Sequence, residues 1–232
     1  MTGQSNGYGS LPLISIDIET ASEGERARRY TDSKTYKLGN VKDPEKKAKK
    51  LEEKQEAARQ THALHWFTGK VISVAITDVF EQAEPTRVFY GRNEKIVLTD
   101  LAEHISRDIK LIGKSNVTFD IGFLVGRYMH HLIPVPRALK HWNQILDVDK
   151  FFSPSQSSSQ RGSLSDYLHG INWESKPLDG ASVPGMYNEI LALESMGKHN
   201  EAEKLWNTIK DYNAFDAEAV AELARRYYGS PI

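Results

Sequence analysis

Apolar residues recur along this chain in two periods, one that suits strands and one that suits helices. Residues 11–18 (LPLISIDI) are apolar and β-branched, the pattern of a buried strand whose far end turns acidic. Residues 69–78 (GKVISVAITD) and 86–90 (TRVFY) predict two more strands joined by a polar loop, as in a hairpin. Residues 95–109 repeat Ile96, Val97, Leu101, Ile105 and Ile109 at helical spacing. Short strands follow at 111–113 and 145–148. Between them, a helix over 119–131 ends before Pro134. Residues 164–168 and 183–196 predict helices separated by a turn at 177–180, and 201–228 is helical almost throughout, stopping at Gly229.

Two stretches lack apolar periodicity. Residues 1–10 are polar and glycine-rich and predict a flexible tail; residues 152–162 are rich in Ser and Gln and predict a loop. Residues 43–60 (DPEKKAKKLEEKQEAARQ) instead form a charged helix, with Asp43 as its cap and Pro44 at its first position. Its thin stripe of Ala48, Leu51 and Ala58 fits a solvated insertion at about 42–62. Its lysines also fit a nucleic-acid-facing arm, and both readings stand at this point. The element order predicts an α/β fold, a single domain over 11–232 with one mixed sheet and helices on its faces.

Composition narrows the chemistry. There is no cysteine, so disulfides, thiolate nucleophiles and cysteine-ligated metals are excluded. Lys and Arg number 30 against 31 Asp and Glu, a balance unlike that of a polycation coating nucleic acid. No run approaches the ~20 apolar residues of a membrane span, and residues 1–10 lack the basic and apolar parts of a signal peptide. The expected location is cytoplasmic, with no membrane partner.

Three places put carboxylates where they are costly. Asp17 and Glu19, two apart in a strand, point to one face, and their like charges repel unless a cation lies between them. Hard oxygen ligands at that density suit Mg²⁺ or Mn²⁺. Asp120, in Asn116-Val-Thr-Phe-Asp120, falls in the first turn of a helix, where the dipole favours an anion. Tyr212 and Asp216 lie four apart on one face of the C-terminal helix, beside the apolar side of Ala219, Val220 and Leu223. Singly, each is readily an ordinary strand end, helix start or exposed acid.

Together, the order D-x-E, N-x-x-F-D and Y-x-x-x-D resembles the DEDD exonuclease superfamily. Tyr212 places the resemblance in the DEDDy branch, with the proofreading domains of family B polymerases and ribonuclease D. Residues 42–46 (KDPEK), 63–70 (ALHWFTGK) and 176–180 (KPLDG) are similar to stand-alone polymerase-B-type predicted 3′–5′ exonucleases of phages and bacteria. The likeness runs over about residues 11–228, and it departs at Lys114-Ser115, where such proteins usually have Gly-His.

The resemblance implies a ribonuclease H-like mixed five-stranded sheet flanked by helices on both faces, in a bacterial or phage-encoded protein. It implies two divalent metal ions held by Asp17, Glu19, Asp120 and Asp216, with Asp17 bridging and Tyr212 orienting the attacking water. Hydrolysis from the 3′ end of single-stranded DNA, releasing mononucleotides, is the activity implied. An exoribonuclease acting on RNA 3′ ends and an inactive end-binding protein remain alternatives. A polymerase or replication protein is the implied partner. Thr20, Asn116, Phe119 and Lys176 become candidate substrate contacts, although helical spacing also suits Phe119 and Phe123 to the core.

Overall fold

The computed structural model describes residues 11–81, 83–115, 119–152 and 162–229. The tail at 1–10, most of the Ser-rich loop and Asn116 lie outside the described residues. Five strands form one mixed sheet in the order β3-β2-β1-β4-β5: β1 Leu13–Ser22, β2 Gly69–Asp78, β3 Arg87–Tyr90, β4 Lys110–Gly113 and β5 Ile145–Asp147. β1–β2 and β2–β3 pair antiparallel, whereas β1–β4 and β4–β5 pair parallel. This is the α/β, ribonuclease H-like arrangement expected.

Alternation along β1 divides the core. Ile14, Ile16 and Ile18 pack on α3 (Glu94–Ile105) and α4 (Asp120–His130), with Leu98, Leu101, Leu124 and Tyr128. Leu13, Ser15, Asp17 and Glu19 take the opposite parity. That face is covered by α6 (Leu164–Gly170), α7 (Val183–Ser195) and the 30-residue α8 (His199–Tyr228). The small residues Ala217, Ala221 and Ala224 let α8 lie close to the sheet, and the Ser15 hydroxyl donates to the Ala217 carbonyl at 2.7 Å.

Helix α1 (Glu25–Ser33) was not legible in the pattern, since only Ala27 and Thr31 of its nine residues are buried. Helix α2 (Pro44–Gln60) begins as expected: Asp43 accepts hydrogen bonds from the Glu45 and Lys46 amides at 2.9 and 3.2 Å. α3 stops at Ile105, four residues before the expected end, because Ile109 is used at the approach to β4, buried in the same core. A short α5 (Asp149–Phe152) follows β5. Among the described residues, no helix is long and apolar enough to cross a membrane.

Arg127 ties one face together. It is fully buried, and its guanidinium donates to both oxygens of Glu94 on α3, to Glu23 just past β1 (3.0 Å) and to the Trp66 carbonyl (2.9 Å). Glu94 also accepts from the Val71 amide, so α3, α4, β2 and the segment before β2 meet at one ion cluster. This fixes the position of α4, whose first residue is Asp120.

Candidate functional site

Parallel strands β1, β4 and β5 end on the same side of the sheet, the side where ligands collect in α/β folds. β4 pairs with β1 only as far as Ser15 and ends at Gly113, so β1 runs on beyond it to Ser22. Asp17 and Glu19 lie on this overhang, flanked by β2 on one side alone. The N-terminus of α4 brings Asp120 toward the vacated side, and α8 crosses above with Tyr212, Asn213 and Asp216.

A bulge shapes the other side. Glu19 pairs with Ser73 but Thr20 pairs with Val71, which leaves Ile72 as the extra residue of β2. Ile72 and Ser73 therefore both face α8: Ile72 packs with Tyr187, Trp206 and Tyr212, and the Ser73 hydroxyl donates to Asn213 Oδ1 at 2.7 Å. The Asn213 amide then donates to Asp17 Oδ2 at 2.7 Å. Thr20 takes the opposite parity, and its hydroxyl donates to the Ala63 carbonyl at 2.7 Å, pinning the turn His62–Leu64 to β1.

Carboxylate oxygens of Asp17, Glu19 and Asp216 lie within 4.8 Å of one another and could hold a metal ion. Asp120 is buried nearby and feels the charges of Asp17, Asp147 and Asp216. Burial, then mutual repulsion, raises the pKa of Asp17 to about 8 and lifts those of Glu19 and Asp120 as well. Asp216 is raised by burial, against the pull of Lys176 and Tyr212. The Lys176 ammonium lies 2.6 Å from Asp216 Oδ2 and 4.7 Å from the centre of the Tyr212 ring.

The donor set fits a divalent cation. It is all hard oxygen, it is crowded with like charge, and Asp216 Oδ1 is buried with no hydrogen-bond partner among the described residues. An ammonium already drawn among these carboxylates shows that the pocket favours positive charge.

Residues 176–180 cover Tyr212 as well. A Cβ on Gly180 would stand 2.8 Å from the Tyr212 hydroxyl, so any side chain there would have to displace the phenol. The phenol is buried, and its pKa is raised by burial and then by the charges of Asp216 and Glu19, which keeps it protonated.

Beside Asp120, Leu64, His65, Trp66, Phe119, Gly122 and Phe123 line a pocket of about 250 Å³. Phe119 and Phe123 are in ring contact at 5.6 Å; Phe123 is core, whereas Phe119 is half-buried at the pocket. Trp66 is 42% exposed and packs over Gly126, where a Cβ would meet its ring at 2.5 Å.

The sequence reading missed three groups here. Asp147, at the end of β5, accepts from the Ser115 and Asp149 amides at 3.1 and 2.9 Å, and its charge acts on Asp120. Asp149 binds the Lys114 ammonium at 3.1 Å and accepts from the Tyr167 hydroxyl at 2.8 Å. Asn213 is the third. Its only sequence signal was its place beside Tyr212 on the docking side of α8.

No family model matches this sequence, and no curated protein does. Among solved structures, the fold is similar to the family B DNA polymerase from the hyperthermophilic archaeon Pyrobaculum calidifontis, with a TM-score of 0.53 and 12% identity. The match covers 94% of this chain and 24% of that one, so this chain spans about a quarter of the polymerase's length. At that identity the likeness speaks for the fold alone.

Proposed function

We propose that the protein is a metal-dependent 3′–5′ exonuclease that removes mononucleotides from single-stranded DNA. The observation that carries this reading is the convergence of Asp17, Glu19 and Asp216 within 4.8 Å, with Asp120 and Tyr212 beside them, at the ends of the parallel strands. These are the residues that the DEDDy resemblance selects, and their meeting from three distant parts of the chain supports it.

In this reading Asp17, Glu19, Asp120 and Asp216 hold two divalent cations. When bound, the cations lower the pKa of an attacking water and neutralise charge developing on the phosphoryl oxygens. Tyr212, kept protonated by its surroundings, cannot take a proton from that water; it orients the water by a hydrogen bond. Asn213 holds Asp17 in one rotamer through the relay from Ser73. Lys176, freed from Asp216, contributes its charge to the phosphate. The aromatic pocket of Trp66 and Phe119 receives the unstacked terminal base, for which π-faces are tolerant partners.

Incubation with a 5′-labelled single strand and Mg²⁺ or Mn²⁺ tests this. A descending ladder is expected. Immediate release of a labelled mononucleotide would show the opposite polarity, and binding without cleavage would mark an end-binding protein. DNA and RNA strands run in parallel decide the substrate sugar.

A further inference from the structure

Beyond Glu19, β1 continues for three residues to Ser22, a rise of about 10 Å. There it opens into a groove of about 630 Å³ that contains none of the site's carboxylates. Four cations line it, each from a different element or connection: Arg28 on α1, Arg59 at the end of α2, Lys70 on β2 and Arg92 between β3 and α3. Tyr187 of α7 forms part of the wall, with the Lys70 ammonium 4.6 Å from its ring centre.

Three of the four cations are exposed or held only weakly, while Lys70 donates to the Arg92 carbonyl at 3.2 Å and keeps its charge unpaired by any carboxylate among the described residues. Arg28 makes no ion pair among the described residues. Arg59 pairs with Glu56 at 3.0 Å, both well exposed, a weak contact that a phosphate can replace; Arg92 is exposed but pairs at 2.8 Å with the largely buried Glu194, so it is the more firmly held of the two. The one lining carboxylate, Glu23, is already held by Arg127 and Arg26, each at 3.0 Å, so it does not oppose an anion. The lysines singled out in α2 do not line the groove; of that helix, only Arg59 does.

We propose that this groove binds the phosphodiester backbone of the nucleic-acid strand whose 3′ end lies at the carboxylates. Guanidinium groups match phosphate oxygens in a bidentate fork, and four cations from four separate parts of the chain around one groove suit a repeating anion rather than a single one. The inference rests on the exonuclease reading for the direction of the strand. Its binding test is independent of cleavage.

Fluorescence anisotropy in EDTA, where no hydrolysis can occur, is measured for a 12-residue oligothymidylate, a 12-residue oligouridylate and a dinucleotide. The variant Arg28→Ala/Arg59→Ala/Lys70→Ala is expected to bind the DNA 12-mer at least tenfold more weakly at 0.1 M salt. Its slope of log affinity against log salt should be shallower by about 2, at ~0.7 for each phosphate of a single strand that is no longer neutralised. The dinucleotide, whose single phosphodiester stays at the carboxylates, should shift less than twofold. Parallel losses for the two 12-mers would support a groove that reads the shared phosphodiester backbone.

The control is Arg87→Ala/Arg107→Ala, which removes exposed cations from a separate groove beside Pro12 and Ile14, where β1 begins, and should leave the slope unchanged. Arg28→Glu alone, an exposed single change, should show the same direction if the triple variant folds poorly. Wild-type affinity and slope in the groove variants would overturn the proposal, as would equal weakening in the control. Equal competition by a decameric oligoglutamate would assign the groove to acidic peptides and also overturn it. Absence of cleavage by wild-type protein with normal length-dependent binding would count against the exonuclease reading and leave the groove standing.

Discussion

The ammonium of Lys176 and the carboxylate of Asp216 are 2.6 Å apart, and the ammonium lies over the face of Tyr212. A side chain thus supplies positive charge among acids that otherwise repel. Lys176→Met should lower the melting temperature in EDTA by about 2–12 °C, from about 1–3 kcal/mol lost at a charged hydrogen bond and ~2–4 °C per kcal/mol at this size. Added Mg²⁺ should then raise the variant's melting temperature by more than it raises that of wild type. Equal Mg²⁺-induced gains in the two proteins would mean that Lys176 and the cation do not share a position.

Stability should fall with rising pH in the absence of metal. The folded pKa values of Asp17, Glu19, Asp120 and Asp216 lie above the unfolded values near 4, so the folded state binds more protons. Their contribution is complete below about pH 4 and is lost as pH rises through the folded value, about 8 for Asp17. Glu23, Asp149 and Glu222 shift downward, and their share is lost only as pH falls below about 4. His62 and His130, both lowered, add stability as pH passes up through about 6.5 and partly offset the carboxylates. Melting curves in EDTA and in saturating Mg²⁺ should therefore diverge from pH 5 to 8, with the gap widest at 8. A constant gap would remove the carboxylates as the cause.

Tyr212 and the acids should separate by kind of loss. Asp17→Asn should abolish turnover while the fold survives, because it removes a ligand from a cluster that is itself strained by repulsion. Tyr212→Phe should slow turnover by roughly 10–100-fold, about 1.4–2.7 kcal/mol of barrier, with Mn²⁺ affinity nearly unchanged. Equal loss of Mn²⁺ binding in Tyr212→Phe and Asp216→Ala would place the phenol among the ligands instead.

Gly180→Ala is expected to act through Tyr212 without removing any carboxylate. The added methyl has to displace a hydroxyl at 2.8 Å. Turnover should fall by roughly tenfold, and combining the change with Tyr212→Phe should produce little further loss, since both act through one group. Fully multiplicative losses in the double variant would show that Gly180 matters for another reason.

Arg127→Met should cost stability rather than chemistry. It leaves Glu94 buried without its main partner, a loss of about 3–5 kcal/mol. A urea midpoint within error of wild type would contradict the role given to this cluster.

The acids were legible because each belongs to a pattern with a fixed period. Asp17 and Glu19 share a strand face, Tyr212 and Asp216 share a helix face, and Asp120 opens a helix. What escaped the sequence has no period. Helix α1 buries too little to carry an apolar stripe, and the Ile72 bulge is a mismatch between two strands rather than a property of either. Asp147 looks like the polar end of a three-residue strand until β5 is placed beside β4. Arg127 reads as a cation near a helix end, and only packing reveals it as the centre of an ion cluster.

The hydrogen bond from Asn213 to Asp17 spans 196 positions of sequence. Translation at ~5–20 residues per second delivers residues so far apart roughly 10–40 s from one another. From the end of β5 at Asp147 until Asn213 is made, the emerging chain holds every strand of the sheet but only part of the acidic set, and Asp17 has no relay to fix it. Completion of the candidate site is therefore delayed in the nascent chain by topology alone: the sheet can begin to form on the ribosome before the acidic set is whole.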